Sequence, residues 1–365
     1  MEKKMRKVGI LTAGGDCPGL NAVIRAVVKT GIGRFGMEII GFKDGFDGLI
    51  HDRFVTLESR DVSGILTIGG TILGTSNIAN PYGYAVKGKN GKIVMKDVSK
   101  KAIAVYKRHK LDALITVGGD GTLTNASKLV RDGLNIVGVP KTIDNDLSET
   151  DLTFGFNTAV ATATEAIDKL HTTAQSHHRV MIVEVMGRYA GWIALAAGMA
   201  GGGDVILIPE IPYRIEKVFD KIRERSKRGK RFSIIVVAEG AKPLGGDVTV
   251  SKIVENSPDK IRLGGVAARL ADQIEKATGN ETRATILGHV QRGGTPTPFD
   301  RILATRYGHE AICLVAQGIF GRMVALRANE MTNVPIEAAI GQLRHVPPNM
   351  PLICCLKDTG VSFGD

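Results

Sequence analysis

Two short acidic segments carry the chemistry that can be read from this sequence without context. In Pro140-Lys141-Thr142-Ile143-Asp144-Asn145-Asp146 two carboxylates stand two residues apart. If that segment is extended, Asp144 and Asp146 point the same way, so one can take a proton from a hydroxyl while the other orients it or meets a metal. The plain alternative is an Asx-rich turn capping the next segment. Upstream, Gly118-Gly119-Asp120-Gly121-Thr122 sets a carboxylate among glycines. Such glycines let the backbone approach a polyphosphate closely, and Asp120 can hold Mg²⁺ directly or through water, as phosphoryl transfer requires. Taken alone, the run would also suit a tight turn with a surface Asp. A third run, Gly14-Gly15-Asp16-Cys17-Pro18-Gly19, offers bare amides ahead of a helical stretch and so can accept a phosphate. It lacks both the GxGxxG spacing of a dinucleotide fold and the Lys-Ser/Thr of a Walker loop.

All three runs have to be placed by the elements before them. The stretches 7–12, 111–117, 135–139, 179–185, 205–208 and 233–238 are short and rich in Val and Ile, as strands buried on both faces are. Helical periodicity occupies 21–30, 158–174 and 217–227. Strand, glycine turn and helix in repetition predict an α/β fold of parallel sheets with helices on both faces, where ligands gather at the carboxyl ends of the strands. The stretch 88–97 reads as an exposed turn or hairpin.

With 365 residues the chain exceeds one typical domain, and two domains are expected. A formal net charge of +11 raises the question of acidic partners. The basic run from Lys221 to Arg231 is interrupted by Glu224 and carries no interleaved aromatic residue, so it reads as a solvated helix face, and no nucleic acid is expected as a partner. Other arginines stand singly beside Gly, His or Thr, a distribution that suits a compact phosphorylated ligand. The apolar N-terminal run is broken by Gly14, Gly15 and Asp16, which argues against a signal segment or membrane span there, and no membrane partner is expected. Cys17, Cys313, Cys354 and Cys355 show no metal-ligand spacing and suit a reducing cytoplasm; with Trp192, they are read as packing residues.

Seven segments then stand in order: GGDCPGLNAVIR, GGTILGTSN, GGDGT, PKTIDND, SHHRVMIVEVMGRYAGW, VVAEG and TRATILGHVQRGGTPTPFDR. Together they closely resemble the 6-phosphofructokinases over nearly the whole chain. The resemblance implies Mg²⁺-assisted transfer of a phosphoryl group from ATP to the 1-hydroxyl of fructose 6-phosphate, in glycolysis and in the cytoplasm. It implies two doubly wound, Rossmann-like three-layer domains with the active site in the cleft between them. One would hold the nucleotide (1–154 plus 293–340) and the other the sugar phosphate (155–292 plus 341–365).

By the same resemblance Asp144 is the base, with Thr142 and Asp146 beside it, and Asp120 binds Mg²⁺. Gly15, Asn77, Gly119, Gly121 and Thr122 meet the nucleotide with Asp120. Arg188, with Met186 and Gly187, contacts the sugar phosphate and the transition state, and Glu239 accepts sugar hydroxyls. His289 and Arg292 bind the 6-phosphate, helped by Arg179 and Arg283 of a neighbouring subunit, which implies a homotetramer or homodimer.

Two positions depart from the family pattern. Pyrophosphate-using relatives carry Asp at the place of Gly121 together with Lys at that of Lys141, whereas many ATP enzymes have Gly at both. An Asp at 121 would project charge into the space of the α-phosphate, so its absence favours ATP and makes Lys141 an extra cation either donor could use. Asn77 stands where bacterial relatives have an Arg bridging donor and acceptor phosphates, and Lys141 is a candidate replacement for that charge. Arg25 and Lys29 align with effector-binding positions in some relatives and equally suit a solvated helix face. Two other readings stay open: the same transfer from pyrophosphate, and a catalytically silent nucleotide or sugar-phosphate binding protein.

Overall fold

The computed structural model describes residues 6–88, 93–253 and 261–365. In chain order the strands are β1 (Lys7–Thr12), β2 (Glu38–Phe42), β3 (Phe54–Leu57), β4 (Tyr84–Lys87), β5 (Ile93–Lys96), β6 (Ala113–Gly118) and β7 (Ile136–Pro140). Then come β8 (Val180–Val185), β9 (Val205–Leu207), β10 (Ser233–Ala238), β11 (Val250–Ile253), β12 (Ile261–Leu263), β13 (Thr282–Ile286), β14 (Arg322–Arg327) and β15 (Glu330–Pro335). The helices are α1 (Leu20–Phe35), α2 (Phe46–His51), α3 (Ser99–Arg108), α4 (Asp120–Arg131), α5 (Phe156–His177), α6 (Trp192–Ala200), α7 (Ile215–Lys227), α8 (Val266–Thr278), α9 (Pro298–Gln317) and α10 (Pro351–Asp358).

Seven strands form one sheet in the order β15-β14-β7-β6-β1-β2-β3. Its interior pairs are parallel, and β3 and β15 close the edges antiparallel. The second sheet, β13-β8-β10-β9, is parallel throughout. Ser362 bridges Val205 in parallel, so the C-terminal residues extend that sheet beyond β9. Strands β6, β7, β8 and β10 are buried along their full length because helices cover both faces of each sheet. Residues of α1 and α9 pack on one face of the first sheet and residues of α3 and α4 on the other. Around the second sheet α5 and α6 oppose α7 and α8. One apolar cluster runs without a break from Val8 and Ile10 to Ile234 and Val236, which ties the two layered units into a single body.

The basic run from Lys221 becomes the later half of α7 and the turn after it; only Ile222 is buried, and the residues from Ser226 to Arg231 are exposed. In the stretch 88–97, β4 and β5 pair as a hairpin, and its tip at 89–92 lies outside the described residues. Of the two forms open to the segment after β7, the structure shows the Asx turn and not the extended strand. Lys141 continues the pairing to Gly118, but Asn145 takes a left-handed φ of 52° and its side-chain oxygen accepts the Thr153 N–H at 3.0 Å, closing a turn. Ile143 and Asn145 point into the core while Thr142, Asp144 and Asp146 stay partly open, so the alternation survives without a regular strand.

Candidate active site

Three strands of the first sheet end at one place. The loop after β1 carries Gly14 and Gly15, β6 runs into the first turn of α4 at Asp120, and β7 leads into Lys141–Asp146. The Gly14 N–H donates to Ser76 O at 3.0 Å and the Thr75 hydroxyl to Gly14 O at 2.6 Å, which brings Asn77 to the rim. These elements enclose a cavity of 530 Å³ lined by Gly15, Asn77, Asp120, Lys141, Asp144 and Arg292 among others. Free amides at the start of α4 face it, which suits a polyphosphate. A Cβ on Gly121 would meet no heavy atom within 4 Å, so a side chain there would enter the cavity itself. Gly119 and Thr122 complete the wall, together with Thr124 and Lys128 one and two turns further along the same helix face. Sequence reading missed those last two, although the i, i+4 spacing from Asp120 marks them once α4 is known to start there.

Asp144 faces the inner end of this cavity. Burial pushes its carboxyl above the usual range, and the Arg292 guanidinium and then the Lys141 ammonium pull it back. Its Oδ1 is buried without a hydrogen-bond partner. Such an orphan is costly unless something donates to it. Asp146 is pushed up to about 7, first by burial and then by the Asp144 charge; the Thr142 hydroxyl opposes the shift and Asp120 adds to it. Lys141 is 3% exposed and its ammonium donates to Gly15 O, while burial lowers its pKa. Arg292 donates to Asp16 O at 3.2 Å, and a Cβ on Gly15 would come within 2.8 Å of its guanidinium. A larger residue at Gly15 would therefore displace the Arg292 guanidinium, which stands in the first cavity beside Lys141.

A second cavity, of 310 Å³, lies at the carboxyl ends of β8, β10 and β13 and takes Met186, Glu239 and His289. Glu239 is pushed up to about 7 by burial, then by the charges of Asp144 and Glu184, against the pull of Arg292 and Arg188. Arg188 follows the turn at Gly187 and its guanidinium lies 5.0 Å from the Tyr189 ring centroid. Glu184, which sequence reading passed over, is 2% exposed and accepts the N–H groups of Gly265 and Ala267 at the start of α8. A lone acid inside an apolar strand was its signal.

Arg179 and Arg283 join neither cavity. Both pair with Glu281, at 2.8 and 2.5 Å, at the amino ends of β8 and β13. The site lies at the other end of those parallel strands, roughly 20 Å away at about 3.3 Å per residue. Arg25 and Lys29 line a separate cavity of 420 Å³ with Arg306 and His309.

The carboxylates suit a hard cation in one particular way. Among the described residues no three His, Cys, Asp or Glu side chains group as a metal cage. Mg²⁺ is commonly held by one or two carboxylates plus substrate phosphates. Asp120 on the cavity wall and Asp146 behind Asp144 fit that mode: the Asp120 charge is near enough to add to the upward push on the Asp146 carboxyl.

A phosphate cradle at one set of strand ends, an activated carboxylate at its floor and a hydroxyl-accepting cavity beyond define a phosphotransferase built on paired α/β sheets. A family model described as phosphofructokinase matches residues 7–315, and the chain belongs to that family. It is 56% identical over 366 residues to ATP-dependent 6-phosphofructokinase 2 of Clostridium perfringens, covering 100% of both chains. It is also 52% identical over 359 residues to pyrophosphate–fructose 6-phosphate 1-phosphotransferase of Streptomyces coelicolor, covering 98% of this chain and 100% of that protein. Among solved structures, Pichia pastoris phosphofructokinase in the T-state superposes with a TM-score of 0.78 at 31% identity, over 93% of this chain and 36% of that one. No described helix is long and apolar enough to cross a membrane.

Proposed function

We propose that this chain transfers the γ-phosphoryl group of ATP to the 1-hydroxyl of fructose 6-phosphate, in the cytoplasm. The observation that carries the reading is the orphaned Asp144 Oδ1 of the first cavity, whose carboxylate is near enough to Glu239 of the second to raise it. A sugar hydroxyl would donate to it, lose its proton to it, and attack phosphorus as the bond to the departing ADP oxygen breaks. Bound at Asp120 and Asp146, Mg²⁺ would screen the donor phosphates. Glu239 would accept sugar hydroxyls, and Arg188 would contact the sugar phosphate.

The open space at Gly121 favours ATP, since nothing there excludes an α-phosphate. Relatives named for either donor are comparably similar, so overall identity does not choose between them. Lys141 in the first cavity is a cation either donor could use, and it is the feature behind the second reading, pyrophosphate as donor. With Arg292 alongside, it supplies the cation that Asn77 lacks. His289 would meet the 6-phosphate from this chain. Arg179 and Arg283, held at the far end of the strands, would reach it in a neighbouring copy within a homodimer or homotetramer. The division into 1–154 plus 293–340 and 155–292 plus 341–365 is supported by strand membership, the first sheet drawing on 7–140 and 322–335.

Initial rates with fructose 6-phosphate and Mg²⁺, comparing ATP with pyrophosphate at equal concentration, test the proposal. Turnover with ATP is expected. Preference for pyrophosphate would mean that Lys141 outweighs the missing Asp, and silence with both would leave a binding protein.

A further inference from the structure

Six consecutive residues after β15, 341–346, make an unusual series of contacts. The Gly341 N–H donates to Asp120 Oδ1 at 2.9 Å. The Ser148 hydroxyl donates to Gln342 O, and Leu343 bridges Leu147. The Arg344 N–H donates to Asp146 O at 2.8 Å, and its guanidinium donates to Asp151 O at 2.8 Å and Asn145 O at 3.5 Å. The same guanidinium lies 4.4 Å from the ring centroid of Trp192, whose indole N–H donates back to Arg344 O at 2.8 Å. His345 bonds Tyr189 O at 2.9 Å, and the Val346 N–H reaches Glu210, which also holds the Gly191 N–H.

In order, then, this segment ties the donor-side carboxylate, the turn bearing the base and the loop bearing Arg188. Neither sheet does this, because the three groups arise from α4, from the end of β7 and from the end of β8. The turn at 142–146 is not a strand; besides the strap it is held by the Asp144 N–H to the Thr142 hydroxyl and by three hydrogen bonds from Thr153, to Asn145 Oδ1 and to Thr142 O.

We propose that 341–346 is a positioning strap for the transfer, and that Arg344 is its principal positioning residue. The proposal rests on the phosphotransferase reading above. Reacting groups displaced by about 1 Å can lose on the order of 10²-fold in rate while binding persists. Arg344 touches no substrate on this account. It acts by fixing the carbonyls of Asn145 and Asp151 on one side and the Trp192 ring on the other. A lysine could keep the cation over the ring and one hydrogen bond, but not the fork.

The test uses the full-length protein and the variants Arg344→Met and Arg344→Lys. The first measurement is kcat per ATP-binding site, counted by titration, beside the KM for each substrate. Arg344→Met is expected to lose about 10²-fold in kcat per site, with both KM values within about threefold, and Arg344→Lys to recover part of the loss. A kcat per site within threefold of the parent, or a loss confined to KM, would overturn the proposal. Should Arg344→Met fail to fold, the parent protein decides. Trp192 is the sole tryptophan, so MgADP bound at Asp120 is expected to alter its fluorescence through the strap, and less so in Arg344→Lys, which keeps the cation over the ring but loses the fork. Identical responses in the two proteins would overturn the strap. If the parent turns over neither donor, the phosphotransferase reading fails instead, whatever the fluorescence does.

Discussion

Replacing Glu239 by glutamine should make this protein more stable and a poorer catalyst, and the size of the first effect can be worked out. The carboxyl is carried from 4.5 to about 7, mainly by burial. At about 1.4 kcal/mol per pH unit, holding it charged in the folded state costs about 3 kcal/mol, an upper bound because neighbours relax when the charge is removed. Between pH 4.5 and about 7 the folded state binds more protons than the unfolded state, so stability falls as pH rises through that window. Glutamine matches the shape of the neutral acid. Glu239→Gln should therefore gain roughly 1–3 kcal/mol at pH 8, a rise of roughly 1–4 °C in melting temperature for a chain of this length. The gain should shrink near pH 5 and vanish below 4.5. Thermal melts of both proteins across pH 4–8 measure it. At the same time the KM for fructose 6-phosphate should rise about tenfold, as a charged hydrogen bond gives way to a neutral one. A gain of equal size at pH 5 and pH 8, or a loss at pH 8, would refute the account of burial at this site.

Two further changes probe the reaction itself. Asp144→Ser should lower kcat by about 10²–10⁴ while calorimetric titration still finds MgATP bound; unchanged turnover would remove Asp144 as base. Gly121→Asp should raise the KM for ATP by at least about tenfold, because a desolvated like-charge contact costs 1.4 kcal/mol or more. The ratio of pyrophosphate to ATP turnover should rise with it, and an unchanged ratio would separate donor choice from this position.

How much of this was legible in the sequence depended on how each residue is buried. Strand β10 was readable to the residue, because helices on both of its faces leave an unbroken apolar run, Ser233–Ala238. Strand β13 was read only as a motif rich in arginine, since its edge position leaves Arg283, Ala284 and Ile286 exposed and no period stands out. Within the site, Asp120 and Asp144 announced themselves by the glycines and amides around them, which is local information. The sequence offered an Asx turn at Asn145 beside an extended form without choosing, because the choice is set by Thr153 and an Asx residue tolerates either conformation. Arg344 was hidden more deeply. Its partners, Asn145 and Asp151, lie nearly two hundred positions upstream, and nothing in RHVPPNMPLICC marks it out.

The fate of one helix terminus bears on what the second cavity can admit. The start of α8 opens beside that cavity at Gly265, and a free helix start is a ready anion site. Here Glu184 has already taken it from within, so the dipole is spent on the protein's own carboxylate. With Glu239 alongside, the ionisable residues lining the cavity are two acids and His289. Such a wall repels a phosphate dianion while welcoming sugar hydroxyls. Entry of a phosphorylated sugar then becomes a matter of positive charge from beyond the cavity wall, from Arg188 and Arg292 near Glu239. The pocket then acts as a filter whose polarity is set by those two guanidinium groups, so its selectivity would weaken in salt.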